Sequence, residues 1–271
     1  MVGTGVGVKS TKAMAKKMAK IRTNVNVLHS EYEPVAVEQR LEHTAVKILE
    51  NGFAKIYIGD SKEGWSEALH EYLRILTEKE FEEIHTVKFS YNSVRPKGEK
   101  LKTFGGTASG YEPLKEMFDG FDDVLKNKID AHLDPIETDE KGYGHVRPIH
   151  ILDMCNLIGN NVVIGGVRRT AEIFLFDEDD YESMFAKYGM NGIWTEEQLA
   201  QHNKVGKMLE DHGIKPVWFD ELGIGKRREG IDHRRMSNNS IAFGRKPEKK
   251  FLDLVFEMMQ LEGEPKHNWA R

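Results

Sequence analysis

Residues 148–176, PIHILDMCNLIGNNVVIGGVRRTAEIFLF, change their apolar period part-way along. Ile151, Cys155, Ile158 and Val162 recur at helical spacing, Pro148 suits a first turn, and Gly165 ends the run. AEIFLF (171–176) then reads as a strand, expected to be buried on both faces because it does not alternate cleanly. A buried helix feeding a buried strand can hide both apolar surfaces only by stacking helix on sheet, so this segment constrains the chain to an α/β layer architecture. Between the two elements stands GGVRRTAE (165–172), with two glycines that free the backbone and two adjacent arginines.

The same alternation runs through the rest of the chain. Lys12 to Lys20 is basic and reads as a solvated helix. Val37, Leu41, Val46 and Leu49 predict a helix closed by Gly52, and FAKIYIG (53–59) a strand. Asp60 and Glu63 have capping-box spacing ahead of a helix carrying Trp65, Leu69, Tyr72, Leu73 and Leu76. HTVKFSY (85–91) is a strand, residues 92–110 a long loop of turn formers and cations, and Leu114, Met117, Phe118, Phe121 and Leu125 mark a helix. DEDDYESM is an acidic helix start, MSNNSIAF a strand, and Phe251, Leu254, Val255, Met258 and Leu261 a last helix. Residues 188–232 are less regular and read as an insertion anchored by Trp194 and Trp218. The order predicts an α/β fold with a largely parallel sheet.

Composition narrows the function. The chain has 271 residues, 31% of them charged, with a formal net charge of -5. That balance lacks the basic excess of general nucleic-acid or membrane-surface binders. A single cysteine excludes an internal disulfide framework and a cysteine-based zinc cluster, and fits a reducing cytoplasm. No apolar run reaches the roughly 20 residues that span a bilayer. Both ends are abrupt, which suggests a piece of a longer chain.

Three segments could carry chemistry. Loops 92–110 and 165–170 combine glycines with Arg95, Lys97, Lys100, Lys102, Arg168 and Arg169, a credible phosphate or nucleotide site. The alternative is two solvated turns, with the arginines paired to Glu172 or the acidic run 177–180. GTGVG (3–7) could bring backbone close to a ligand, or be a tight packing turn. Cys155, on an apolar helix face with no cation beside it, reads as a core residue rather than a nucleophile. His233 adjoins two arginines, where a phosphate or a carboxylate partner fits equally. No metal-ligand pattern, acid–base dyad or nucleophile triad is present, so no catalytic residue is assigned.

Several strings together resemble one family. IYIGDSKEGWSEAL, SVRPKGEKLKTFGGTASGYEPL, HILDMCNLIGNNVVIGGVRRTAEIFLFDEDD, RRMSNNSIAF and the terminal GEP are similar to the adenosylcobalamin-dependent (class II) ribonucleotide reductases, the monomeric ribonucleoside-triphosphate type in particular. The resemblance implies a partial ten-stranded α/β barrel with an inserted helical effector-binding region. It divides the chain into a glycine segment of the barrel (1–9), an insertion at the effector site (10–90), a barrel half with two specificity loops (91–187), a second insertion (188–232) and a barrel continuation (233–271). A deoxynucleoside triphosphate effector is implied beside Asp60, Ser93, Arg95, Lys97, Gly98, Lys102, Gly105, Gly106, Gly165, Gly166, Arg168 and Arg169. Gly3, Gly5, Gly7, Asn238 and Asn239 are implied near the substrate.

The family reduces ribonucleotides through a thiyl radical generated with adenosylcobalamin, using a thioredoxin-like reductant. Its radical cysteine, the neighbouring glutamate, the reducing pair and the shuttle cysteines have no counterpart here, and its cobalamin region would lie beyond Arg271. Lys266 replaces the family's glycine after GEP, and KSTKAMAKKMAK departs from its usual continuation after GVG. The resemblance therefore implies a segment that is catalytically silent alone and completed by a companion chain or C-terminal portion. A stand-alone nucleotide-binding module and a ligand-free remnant are the alternatives.

Overall fold

The computed structural model describes residues 5–101, 106–164, 167–168 and 171–269; for 163–164, 167–168 and 266–269 only the backbone is described. In chain order the elements are β1 (Gly5–Lys9), α1 (Lys12–Ala15), β2 (Ile21–Arg22), β3 (Asn26–His29), β4 (Ala45–Leu49), β5 (Phe53–Tyr57), α2 (Lys62–Thr77), β6 (Thr86–Ser90) and α3 (Glu112–Leu125). They continue with β7 (Tyr143–Gly144), α4 (Pro148–Asn161), β8 (Val163–Ile164), β9 (Val167–Arg168), β10 (Ala171–Asp177), α5 (Tyr181–Met184), α6 (Glu196–Asp211), β11 (Ser237–Phe243), α7 (Lys249–Glu262) and β12 (Lys266–Trp269).

Two four-stranded sheets organise these elements. One has the order β1-β10-β11-β12 with every neighbouring pair parallel, as the helix–strand alternation predicts. The other has the order β3-β6-β5-β4, parallel except for the β4–β5 pair. Each sheet covers its own core. Ile56, Phe89, Tyr72 and Phe118 pack where α2 and α3 meet the mixed sheet, and Phe174, Phe176, Ile241 and Phe243 pack with Leu254 and Met258 of α7 on the parallel sheet. Helix α4 joins the two, since Ile151 packs against both cores. Among the described residues the strands do not close into a barrel.

Several local expectations are corrected. Residues 37–49 are not a helix: a 3₁₀ turn spans Val37–Gln39, and β4 then forms an antiparallel hairpin with β5. Leu49 pairs with Phe53, so Glu50, Asn51 and Gly52 make a three-residue connection, with φ of 63° and 74° at Asn51 and Gly52; the Asn-Gly turn signal outweighs the coincidental helical spacing. The basic segment is helical only over Lys12–Ala15. Ser61, not Asp60, caps α2, its Oγ accepting from Gly64 N–H at 2.8 Å. The buried face of α4 is Ile149, Leu152, Asp153, Asn156 and Gly159, one position away from the apolar stripe, because this face meets the charged segment 232–236 as well as the sheet. Strand β10 buries Phe174 and Phe176 on one face only and leaves Ile173 38% exposed on the other. Trp218 is partly buried in the second core, whereas Trp194 is 56% exposed and lies outside it.

Arg22 shows what the sequence concealed. Its buried guanidinium donates to the carbonyls of Ile75, Phe81, Glu82 and Ile84 at 2.7–2.9 Å. A cation at the C-terminal end of α2 meets the negative end of the helix dipole and satisfies carbonyls the helix leaves unpaired.

Candidate functional site

The first loop leaves β6 and enters α3. Segment 32–41 straps it down: Tyr32 Oη donates to Val94 O (2.8 Å), Glu33 N–H to Asn92 Oδ1 (3.1 Å) and Leu41 N–H to Ser93 Oγ (3.2 Å). The Tyr32 ring also stacks on Tyr111, with centroids 4.2 Å apart. Asp60 fixes the turn. Its Oδ1 accepts from both the backbone N–H and Nε of Arg95, at 3.0 and 2.9 Å. Arg40 reaches Asp60 at 3.4 Å and grips Glu99 with two bonds of 2.7 and 2.8 Å. The hydrogen bonds to Glu99 hold the Arg40 guanidinium above its usual range, against the opposing effect of burial.

Beyond Arg95 the loop doubles back. Gly98 N–H donates to Ala108 O (3.0 Å), Ala108 N–H to Glu99 O (2.7 Å) and Leu101 N–H to Gly106 O (3.0 Å). Gly98 and Gly106 have φ of +90° and +86°, a conformation that admits glycine at little cost. Arg95 is thus engaged by Asp60, while Lys97 and Lys100 are exposed and make no ion pair among the described residues. Lys102 and Gly105 lie outside the described residues.

The second loop leaves α4. Val163–Ile164 pairs antiparallel with Val167–Arg168, and β10 begins at Ala171. Gly165, Gly166 and Arg169 lie outside the described residues, as does the side chain of Arg168. What brings the loops together is the helix pair. Leu157 lies over Gly120, and Asn161 Nδ2 reaches Met117 Sδ at 3.7 Å, so α3 and α4 run antiparallel. The N-terminal end of α3, which the first loop enters, therefore lies beside the C-terminal end of α4, which the second loop leaves. The two cation-bearing segments share one end of a helix pair although about 60 residues separate them in the chain.

The glycine segment sits elsewhere. Gly7, Ile173 and Asn238 form one row across β1, β10 and β11. This row is exposed on the face opposite the core. A Cβ on Gly5 or Gly7 would come no nearer than 3.9 and 3.4 Å to its neighbours, ordinary contact distances. The glycines therefore relieve no local clash; they leave the open face bare. Gly3 lies outside the described residues. Asn239 does not join Asn238, because strand alternation turns it inward. It is buried, its Oδ1 accepts from Ser237 Oγ (2.8 Å), and its N–H donates to Glu264 (3.0 Å).

A buried ionic network escaped the sequence reading. Arg234, with no exposed surface, clasps Asp153 with two bonds of 2.6 and 2.8 Å and donates to Asp130 at 2.8 Å. Arg228 also bonds Asp130, and His233 Nε2 lies 2.7 Å from Asp153 Oδ1. Burial alone would raise the Asp153 carboxyl, but the charge and hydrogen bonds of Arg234 hold it well below the usual carboxylate range. Burial pushes Arg228 down to about 10 despite Asp130. The partner of the His-Arg-Arg string is thus carboxylate; the available signal was Asp153, the one acidic residue of α4. The acidic run 177–180 is a helix start, with Asp180 capping α5 and Asp179 paired to Lys12.

Residues 33–125 match the family model for the insertion domain of B12-dependent ribonucleotide reductases. The chain is 38% identical to the probable adenosylcobalamin-dependent ribonucleoside-triphosphate reductase of Dictyostelium discoideum, over 46% of this chain and 14% of that protein. It is 35% identical to the corresponding reductase of Euglena gracilis, over 56% of this chain and 18% of that one. A crystal structure of a B12-dependent (class II) ribonucleotide reductase shares the fold, at TM-score 0.54 and 21% identity, across 88% of this chain and 27% of that one. Over these stretches the chain is similar to the B12-dependent (class II) ribonucleotide reductases. Its matched stretches span less than a fifth of the length of these curated relatives. The partial-barrel architecture expected from the sequence agrees with the solved fold.

These relatives are named for adenosylcobalamin. The sole cysteine, Cys155, has its thiol pushed up to about 11, first by burial and then by the nearby Glu172 charge. It is held protonated, without the depressed pKa of a nucleophilic thiolate. Among the described residues no helix is long and apolar enough to cross a membrane.

Proposed function

We propose that this chain is the effector-reading segment of an adenosylcobalamin-dependent ribonucleoside-triphosphate reductase. A deoxynucleoside triphosphate would bind between the two loops at the shared end of α3 and α4, and the second loop would carry its identity toward the substrate. The observation that carries this reading is the antiparallel packing of α3 on α4, which gathers both glycine- and cation-bearing loops at one place. Asp60 and Arg40 hold the first loop in shape, leaving Lys97 and Lys100 to meet phosphate oxygens. The open face carrying Gly5, Gly7 and Asn238 would border the substrate.

The chemistry belongs to the rest of the enzyme in this reading. The radical and reducing cysteines, the cobalamin site and the docking of a thioredoxin-like reductant would come from a companion chain or a further portion, acting in the cytoplasm. Calorimetric titration of the folded chain with each dNTP tests the effector site; absence of heat with all four would remove it. In the reconstituted enzyme, Arg168→Ala should change which base is reduced under a given effector more than it changes total turnover. Unchanged base preference would count against the relay.

A stand-alone regulatory module is the second reading, favoured by the self-contained core around α2 and α3. Saturable dNTP binding with no effect on any reductase activity would support it.

A further inference from the structure

The second insertion, 188–232, holds a cavity of about 630 Å³ remote in sequence from both loops. Its walls include Trp194, Trp218 and His132, with Glu221, Lys226 and Arg227 around them. The volume falls within the usual range of small-molecule sites, roughly 300–1,000 Å³.

Trp194 is exposed yet fixed. Its Nε1 donates to Asn191 O at 2.7 Å, and its backbone N–H donates to Gln198 Oε1 at 2.8 Å. The indole lies against Gly192, where a Cβ would sit 2.9 Å from three ring atoms, so that position admits no side chain. The neighbouring residue is clasped as well: Gly225 N–H donates to Ile193 O (2.7 Å) and Ile193 N–H to Lys226 O (3.2 Å). Trp194 and Lys226 are therefore held on adjoining strands of backbone. A third wall is locked in by Arg228, which covers Trp218 at 4.3 Å and bonds Asp130 two residues before His132. One indole face is spent on Gly192, and more than half of the residue's surface remains free. A preset aromatic surface loses little rotamer freedom on binding a flat ring.

The charges around the cavity select the ligand. Lys226 is exposed and makes no ion pair among the described residues. Arg227 grips Glu229, which also lines the cavity, with two bonds of 2.8 Å and lies 3.7 Å from Asp232, so its charge is partly met within the protein and Lys226 is the cation left open to a ligand. Glu221 is an exposed acceptor, suited to hydroxyl groups.

We propose that this cavity is a second ligand site, taking a mononucleotide-sized heteroaromatic anion whose ring stacks on Trp194 and whose anionic group meets Lys226. It is separate from the loop site and does not depend on it. Stacking of a base on an aromatic side chain contributes about 1–3 kcal/mol. This accounts for an aromatic residue that is held rigidly by hydrogen bonds and yet displayed to solvent.

Fluorine NMR of the folded chain labelled with 5-fluorotryptophan tests this, since the four tryptophans give separate signals. Trp194→Phe assigns the signal. Titration with AMP or ATP should shift the Trp194 signal saturably, whereas inorganic tripolyphosphate should shift it far less. Lys226→Ala should weaken the ATP response about tenfold, the loss of one charge-assisted contact, while Lys97→Ala leaves it unchanged. A Trp194 signal that stays still, or moves equally with tripolyphosphate, would overturn the stacking. A response abolished by Lys97→Ala and untouched by Lys226→Ala would overturn the location. Neither result bears on the loop site, which the calorimetric titration probes separately.

Discussion

Two arginine–carboxylate clusters in this molecule use the same chemistry for different ends. Arg234, Asp153, Asp130 and Arg228 are sealed inside, with side chains at most 4% exposed. Arg40, Asp60, Arg95 and Glu99 lie at the surface of a loop, with exposures from 10% to 34%. The buried cluster ties α4 to segments 130, 185–188 and 228–234, so its partners are fixed by the fold itself. The loop cluster ties one turn to one strap and can yield when a stronger anion arrives. Burial decides which pair is scaffold and which can belong to a site, because water screens the second and not the first.

The sharpest way to break this comparison is to remove one partner from each cluster. Arg234→Met should destabilise the chain by about 3–5 kcal/mol, because buried Asp153 loses its two-bond cation and Asp130 keeps only Arg228. Urea unfolding measures it, and a loss under 1 kcal/mol would make the two clusters equivalent. Asp60→Ala should cost about 1–2 kcal/mol, since its acceptor bonds to Arg95 are partly replaced by water. Its distinguishing effect is local: proteolytic cleavage within 92–110 should rise while cleavage elsewhere stays level.

Acidity separates buried groups further. Glu262 accepts from Gly189 N–H, yet burial pushes its carboxyl up from 4.5 to about 7. A raised carboxyl stabilises fully below 4.5, and that contribution is lost as pH rises through 7. Burial, followed by the charge of Arg147, pushes His150 down from 6.5 to about 4. Its contribution is present above 6.5 and lost as pH falls through 4. Glu262→Gln should therefore flatten the decline in stability toward neutral pH, and His150→Gln the decline toward acid. Thermal unfolding across that range reads both, and unchanged slopes would show that other groups set them. The smallest expected effect is at Lys97 and Lys100, where replacement by alanine should move stability by no more than about 0.5 kcal/mol. Affinity for dNTP should nevertheless fall and become less salt-sensitive.

Legibility in the sequence followed the range of the interaction. Helices α2, α3 and α7 were readable because their apolar residues repeat within one element. The hairpin 45–57 was missed although Asn51-Gly52 announces it, because Val37, Leu41, Val46 and Leu49 happen to fall at helical intervals. Asp153 and Arg234 lie 81 residues apart, and no local pattern links them. The site divided in the same way. The glycines and cations of both loops stood out by composition, and their motifs carried the family resemblance. Their meeting did not stand out, nor did the consumption of Arg95 by Asp60 or the inward turn of Asn239.

By itself the sequence determined the α/β alternation, the parallel sheet, the family resemblance and the segments rich in glycine and positive charge. Those properties reside in spacing and residue type within single elements. Tertiary structure alone decided that α3 and α4 run antiparallel, that both loops therefore share one end, and that Trp194 stands rigid in solvent. Each of these depends on contacts between residues far apart in the chain, and only packing chooses among the many pairings that local propensity allows.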